Sequence, residues 1–333
     1  MTEAEIKNSI LDNGTGLSSA RGQQSIGATP LLSEGNTVVT TYHLRSSSLL
    51  MIKQLMHLCR DTQKHRGLGM GLLAGNTAFA QRFYRLQTQM ARRVDALYTF
   101  SQTQNSSLSV TEINKINEAW ATIREGWHED SVLESFQFHS YVIEQLLHMV
   151  IQLSQCLQAV PARLSDTGSK LVTLFQTPAD EPLDGRCKDD LLVFVCYQLP
   201  RMIESLGMVR ALATHSASLG HHIEEHDKKM RYLCQCVQTQ KYPLIKLAEK
   251  LQSSMGAAFP SVLVVKTYEF KVDAFIEKVS RQVIGQENIT VVSDDLFAMV
   301  TDIMDVYWRI IDEGLDVLHH QQDEALDTWY LKG

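Results

Sequence analysis

Two stretches of this chain carry an arginine inside an apolar helical stripe, and the two stretches align with each other. The first runs Ile52, Leu55, Cys59, Thr62, Arg66, Met70, Leu73 at helical spacing. The second runs Leu199, Ile203, Leu206, Arg210, Ala213, Ala217. A shift of 144 positions, that from Gln54 to Gln198, also sets Leu55 on Leu199, Leu58 on Met202, Arg66 on Arg210 and Leu68 on Leu212. Recurrence at a fixed offset points to a duplicated architecture. An arginine in a core-facing slot is costly to bury unless something anionic meets it. The pattern therefore predicts paired helices whose arginines, facing each other across the repeat, frame a small anion site.

Helical periodicity fills most of the remaining chain. Residues 1–44, rich in Gly, Ser, Thr and Asn, are expected to form a poorly ordered arm, with Thr37-Val38-Val39-Thr40 a short strand-like run inside it. A first helix is expected from Ser47 to Gly75 and a second from Thr77 to Gln102, the latter with Phe79, Phe83, Leu86, Met90, Val94 and Leu97 on one face. A third begins at Thr111 and is lined by Ile113, Ile116, Trp120 and Ile123. A fourth runs from Asp130 to Val160, carries Leu133, Phe136, Phe138, Ile143, Leu146, Leu147, Val150 and Leu153, and ends at Pro161. Short turns between long helices make an antiparallel bundle over 45–160.

The stretch 161–187 holds Pro161, Gly168, Pro178, Pro182 and Gly185 and reads as a linker. The helical pattern then resumes over 188–219, 221–255, 260–285 and 291–331, a second bundle over 188–333. Pro200 and Pro243 fall inside these spans and should kink or split them. Val262-Leu263-Val264-Val265 and Ile289-Thr290-Val291-Val292 are locally strand-like but have no partner strands. The expected fold is all-α, with two duplicated antiparallel four-helix bundles.

Composition narrows the function. With 44% hydrophobic and 21% charged residues this is an ordinary globular chain. A net charge of -7 speaks against a nucleic-acid surface. No uninterrupted run of 18 apolar residues suggests a membrane helix, and the opening Met1-Thr2-Glu3-Ala4-Glu5 lacks an apolar leader. The six cysteines (Cys59, Cys156, Cys187, Cys196, Cys234 and Cys236) follow no disulfide layout, so a reducing, cytoplasmic setting is expected. No nucleophile elbow, P-loop, dinucleotide fingerprint or catalytic carboxylate pair is present, so neither catalysis nor a cofactor is expected. His222 and His226 share a helical face, and Glu225 or His319-His320 could add a metal ligand. The order of these residues lacks the His-Glu-x-x-His pattern, and a solvated helix start is the preferred reading, with no metal. Trp120, Trp127, Phe136, Phe138 and His139 read as core packing, with lining of an anion as the alternative.

The run Gln63-Lys64-His65-Arg66-Gly67-Leu68-Gly69-Met70-Gly71-Leu72-Leu73-Ala74-Gly75 resembles the first helix of the NIT family, the nitrate- and nitrite-sensing domain, with its Gln-x-x-Arg-Gly-Leu signature. Glu204-Ser205-Leu206-Gly207-Met208-Val209-Arg210-Ala211-Leu212-Ala213 is similar to that family's second arginine-bearing helix. The resemblance covers about 45–330. It implies two four-helix bundles binding nitrate or nitrite between them through one arginine from each, here Arg66 and Arg210. Gly67, Gly69, Thr62 and Leu206 are the expected lining. The chain departs from the related nitrate-responsive antiterminators in ending at Gly333, with no room expected for their RNA-binding ANTAR module, so output is expected to pass to a separate protein partner, and a homodimer is among the expected assemblies. Arginine suits nitrate because a planar donor fork meets a planar anion with three equivalent acceptors. Two rival readings stand beside this one. In a helical scaffold with no small-molecule ligand, both arginines would be structural and pair with carboxylates such as Glu144 or Asp302. The other rival is a metal-binding bundle.

Overall fold

The computed structural model describes residues 29–102, 108–158 and 190–332, the side chains of 29–38, 158 and 328–332 aside. The chain divides into Met1–Val39 and Thr40–Gly333. The first unit is described only from Thr29, where it is helical, and every side-chain contact and site below belongs to the second. The architecture is all-α, and no strand occurs among the described residues. Helix α1 spans Thr29–Leu73, α2 Ala80–Ser101, α3 Val110–Gly126 and α4 Val132–Gln158. Helix α5, Asp190–Val193, continues through a π-helical stretch into α6, Leu199–Leu219, followed by α7, Glu224–Met255, α8, Val264–Gln282, and α9, Ser293–Lys332.

Local chemistry explains most boundaries. Ser109 and Glu112 close a capping box on α3, with Glu112 Oε2 accepting from the Ser109 N–H at 2.9 Å. Ser131 and Glu134 exchange the same pair of bonds at the start of α4. Gly220, at φ 80°, ends α6 in the left-handed region that glycine adopts without steric cost.

Several sequence expectations are corrected. Helix α1 begins at Thr29, well before Ser47, so 29–44 is helical, including the strand-like run at 37–40. Pro200 stops nothing. The turn ahead of it widens to π geometry, with the Leu199 N–H reaching Phe194 O, which absorbs the missing proline donor. Pro243 also lies inside an unbroken α7. Phe138 is 40% exposed and leaves the core. Residues 103–107, part of the turn expected at 103–109 ahead of α3, and the linker expected at 161–187 lie outside the described residues.

Helix α6 is buried on nearly every side, packing on α7, α9 and α4. A helix that is apolar all round belongs in a core. Asp190–Leu219 is long and apolar enough to cross a membrane, and 67% of its most apolar window is buried here inside the protein. A search for unbroken apolar runs misses it because Arg201, Glu204 and Arg210 interrupt the run without cancelling its average. One contiguous core runs from Leu49 to Leu318 and joins the two regions expected as separate bundles.

Helices α1 and α9 run antiparallel, fastened along their length by polar contacts in reverse order. Tyr42 donates to Asp323 at 2.8 Å, Lys53 meets Asp316 at 2.9 Å and His57 faces Asp312 at 3.4 Å. Arg60 and Lys64 share Asp305, at 2.9 and 3.0 Å. These acidic residues recur at successive intervals of seven, four and seven, which places them on one face of α9. Each pair is partly exposed and worth little alone. Together they set the register that brings α9 against Arg210.

Candidate anion-binding site

Arg66, on α1, and Arg210, on α6, are both completely buried. Their surroundings differ. Arg66 closes a bidentate ion pair with Glu204 of α6, Nη1 to Oε1 at 2.6 Å and Nη2 to Oε2 at 3.1 Å. Its Nη1 also donates to Ser140 Oγ of α4 at 2.9 Å, and the guanidinium lies over the Phe136 ring, 5.3 Å from its centre. Arg66 thus ties α1, α4 and α6 together.

Arg210 makes no ion pair among the described residues. Its Nη1 donates to Thr301 Oγ1 at 2.9 Å and its Nη2 to the Gln63 carbonyl at 2.7 Å. The guanidinium stacks on Phe297, 4.6 Å from the ring centre. Two of its five N–H donors are used, and its Nε is buried without a partner, as is that of Arg66. Burial, and then the neighbouring charge of Arg66, pull the Arg210 pKa down to about 9, against the opposing influence of Asp305 and Glu204. Arg210 is a buried cation short of an anion.

Gln63 links the two arginines. Its side-chain amide donates to Glu204 Oε2 at 2.8 Å, and its main-chain oxygen accepts from Arg210. The helices approach closely here because each arginine rests on a glycine of the other helix. A Cβ on Gly207 would stand 3.1 Å from Arg66 Nη2, and one on Gly67 would stand 3.3 Å from Arg210 Nε and 2.8 Å from Phe297. Of the other expected lining residues, a Cβ on Gly69 would meet Phe83, at 3.1 Å. Thr62 donates to Leu58 O within its own helix at 2.8 Å, and Leu206 is a fully buried core residue.

The carboxylates named in advance as structural partners do not take that part. Glu144 is exposed, and Asp302 pairs with Lys271 at 3.1 Å. Glu204 was missed, although it is the one acidic residue in Leu199–Leu219. A lone carboxylate in an otherwise apolar helix is a readable sign of a buried pair. Ser140, Thr301 and Phe297 carry no such sign.

Beside Arg66, His65 and His139 form a buried chain. His139 Nδ1 lies 2.6 Å from Ser135 O and can only donate to it, so His139 Nε2 accepts from His65 Nδ1 at 2.7 Å. Burial lowers both pKa values, that of His139 to about 4 and that of His65 well below its ordinary value, so both rings are neutral at pH 7. The aromatic group read as packing is divided. Trp120 meets His65 edge-on at 5.2 Å and Trp127 packs on Phe83, whereas Phe136 lines Arg66.

His222 is engaged by Asp227 at 3.0 Å, and no group of three potential metal ligands occurs among the described residues. Cys59, Cys156, Cys196, Cys234 and Cys236 are free thiols, and Cys187 lies outside the described residues. Two surface clefts open elsewhere. One, of about 410 Å³, lies between α7 and α8 around Arg231, Cys234 and Ser280, and the other, of about 260 Å³, lies beside Tyr268 and Arg309. Neither is lined by Arg66 or Arg210. Set against protein-family models, curated proteins and solved structures, the chain matches none.

Proposed function

We propose that this protein is a sensor that binds a small oxyanion, nitrate or nitrite, at the buried arginines of α1 and α6, and that it is not an enzyme. The observation that carries the reading is Arg210, a wholly buried guanidinium with free donors and no counter-ion among the described residues. Such a charge is costly in a core, and an anion entering from solvent would repay that cost at binding. Arg66 contributes its unpartnered Nε. The resemblance of 63–75 and 204–213 to the NIT family points to the same ligand. The scaffold reading accounts for Arg66, whose countercharge is internal, and leaves Arg210 unexplained.

Output follows from position. Thr301 and Phe297, which hold Arg210, belong to α9, so an anion drawing on Arg210 acts directly on that helix. A change in how α9 packs would be presented to a separate protein in the cytoplasm, provided the ligand has different affinities for the two arrangements.

The test is thermal unfolding of the purified protein in nitrate, nitrite and chloride at matched ionic strength. At a concentration 100-fold above its dissociation constant a ligand adds about 2.7 kcal/mol. Nitrate or nitrite should raise the Tm well beyond chloride. Equal melting in all three at millimolar concentration overturns the reading.

A further inference from the structure

Glu204 has a role at this site beyond neutralising Arg66. Resting on the oxyanion-sensor reading above, we infer that Glu204 is the charge filter of the site, fixing its capacity at one negative charge and so selecting monovalent over divalent oxyanions. The cluster at the α1–α6 contact comprises Arg66, Arg210 and Glu204. Both arginines are fully buried, and the Glu204 side chain is only 13% exposed. Two positive charges and one negative leave a single positive charge uncompensated, and it resides on Arg210.

A monoanion brings this cluster to neutrality. A sulfate or hydrogen phosphate dianion would leave it one charge negative in a low-dielectric interior, where an unbalanced charge is penalised far more than at a surface. The nearby charged groups do not alter the count. Asp305 is shared between Arg60 and Lys64, all three partly exposed to water, and Lys229, half-buried over the Phe136 ring, has Glu225 nearby.

Glu204 cannot readily step aside to enlarge the capacity. Both its oxygens are engaged, Oε1 by Arg66 Nη1 and Oε2 by Arg66 Nη2 and by the Gln63 amide. Gln63 in turn offers its main-chain oxygen to Arg210, which couples the fixed carboxylate to the arginine that awaits the ligand.

The experiment measures binding of nitrate and of sulfate to wild type and to Glu204→Gln, by calorimetry and by melting temperature at low millimolar anion. The wild-type melting shift in sulfate corrects for that ion's general stabilising action. Wild type should prefer nitrate. Glu204→Gln removes the fixed charge while keeping an oxygen for Arg66, and should gain sulfate affinity by about tenfold more than it gains nitrate affinity. Glu204→Asp keeps the charge and shortens the arm. It should retain the nitrate preference, which keeps the test readable should Glu204→Gln fold poorly. An unchanged ratio in Glu204→Gln, or a swing towards sulfate in Glu204→Asp, overturns the filter while leaving the sensor reading intact. Absence of binding by wild type to any oxyanion overturns both.

Discussion

Arg66 rests on Gly207, with its Nη2 3.1 Å from where a Cβ would be, and Arg210 rests on Gly67 in the same way at 3.3 Å. The two helices thus exchange an arginine for a glycine at their contact. Gly67 is the more constrained, since its Cβ would also stand 2.8 Å from the Phe297 ring that carries Arg210. Gly67→Ala should therefore cost about 1–3 kcal/mol of overpacking and weaken the anion response. At Gly207 the nearest atoms are the ends of flexible side chains, Arg66 and Met304. The helix preference for alanine, about 0.8–1 kcal/mol, offsets part of the strain there. Urea unfolding of both variants should rank Gly67→Ala as the less stable, and the opposite ranking would contradict this account of the contact.

Arg210 offers a test by sign. Replacing an unpaired buried cation by an apolar side chain of similar length removes a desolvation penalty. Arg210→Met should be as stable as wild type or more so in anion-free buffer, and should lose its response to nitrate. Arg210→Lys, which keeps a charge and loses the planar fork, should bind nitrate about tenfold more weakly. A loss of several kcal/mol in Arg210→Met would mean that Arg210 is a structural strut.

Glu204→Ala should behave in the opposite way. It strands Arg66 in the core and should cost about 3–5 kcal/mol. Converting both partners, Arg66→Met with Glu204→Ala, should recover most of that loss relative to Arg66→Met and Glu204→Ala alone, because no buried charge is then left over. Chemical denaturation of the two single variants and the double variant measures the coupling, and additive losses would show that the bidentate pair contributes little.

Acid should destabilise the fold before the carboxylates titrate. His139 and His215 are held down to about 4 by burial, and His65 is lowered as well. In the unfolded chain each histidine protonates near pH 6.5, so below that pH the unfolded state binds protons that the folded state refuses. Stability present above pH 6.5 should fall as the pH drops from 6.5 towards 4, by about 2 kcal/mol at pH 5 for His139 alone. Melting temperatures across pH 7.5 to 4.5 check this, and a flat profile down to pH 5 would mean these rings are accessible to protons in the folded state.

Hydrogen exchange along α9 tests transmission. Phe297 and Thr301 touch Arg210, and the polar contacts from Asp305 to Asp323 fasten the rest of the helix to α1. Nitrate should slow exchange around 297–301 most and alter protection further along α9. Unchanged protection despite demonstrated binding would remove α9 as the transmitting element.

The all-α architecture, most helix faces and the burial of both arginines were legible from residue order. Phe83, Met90 and Trp120 fall where the period of 3.6 places them, because a helix face depends on neighbours three and four positions away. Helix starts such as that of α3 follow from a serine and a glutamate three apart. Whether each arginine would find a carboxylate was not legible. The offset that sets Arg66 on Arg210 also sets Arg60 on Glu204, residues of opposite charge. One pairs outward with Asp305 of α9 and the other inward with Arg66, a partner 138 positions away. Local pattern alone placed two cations in the core. The packing of α1, α6 and α9 decided that one would be neutralised from within and the other would not, because ion pairing depends on distances of a few ångströms between helices, which residue order does not encode.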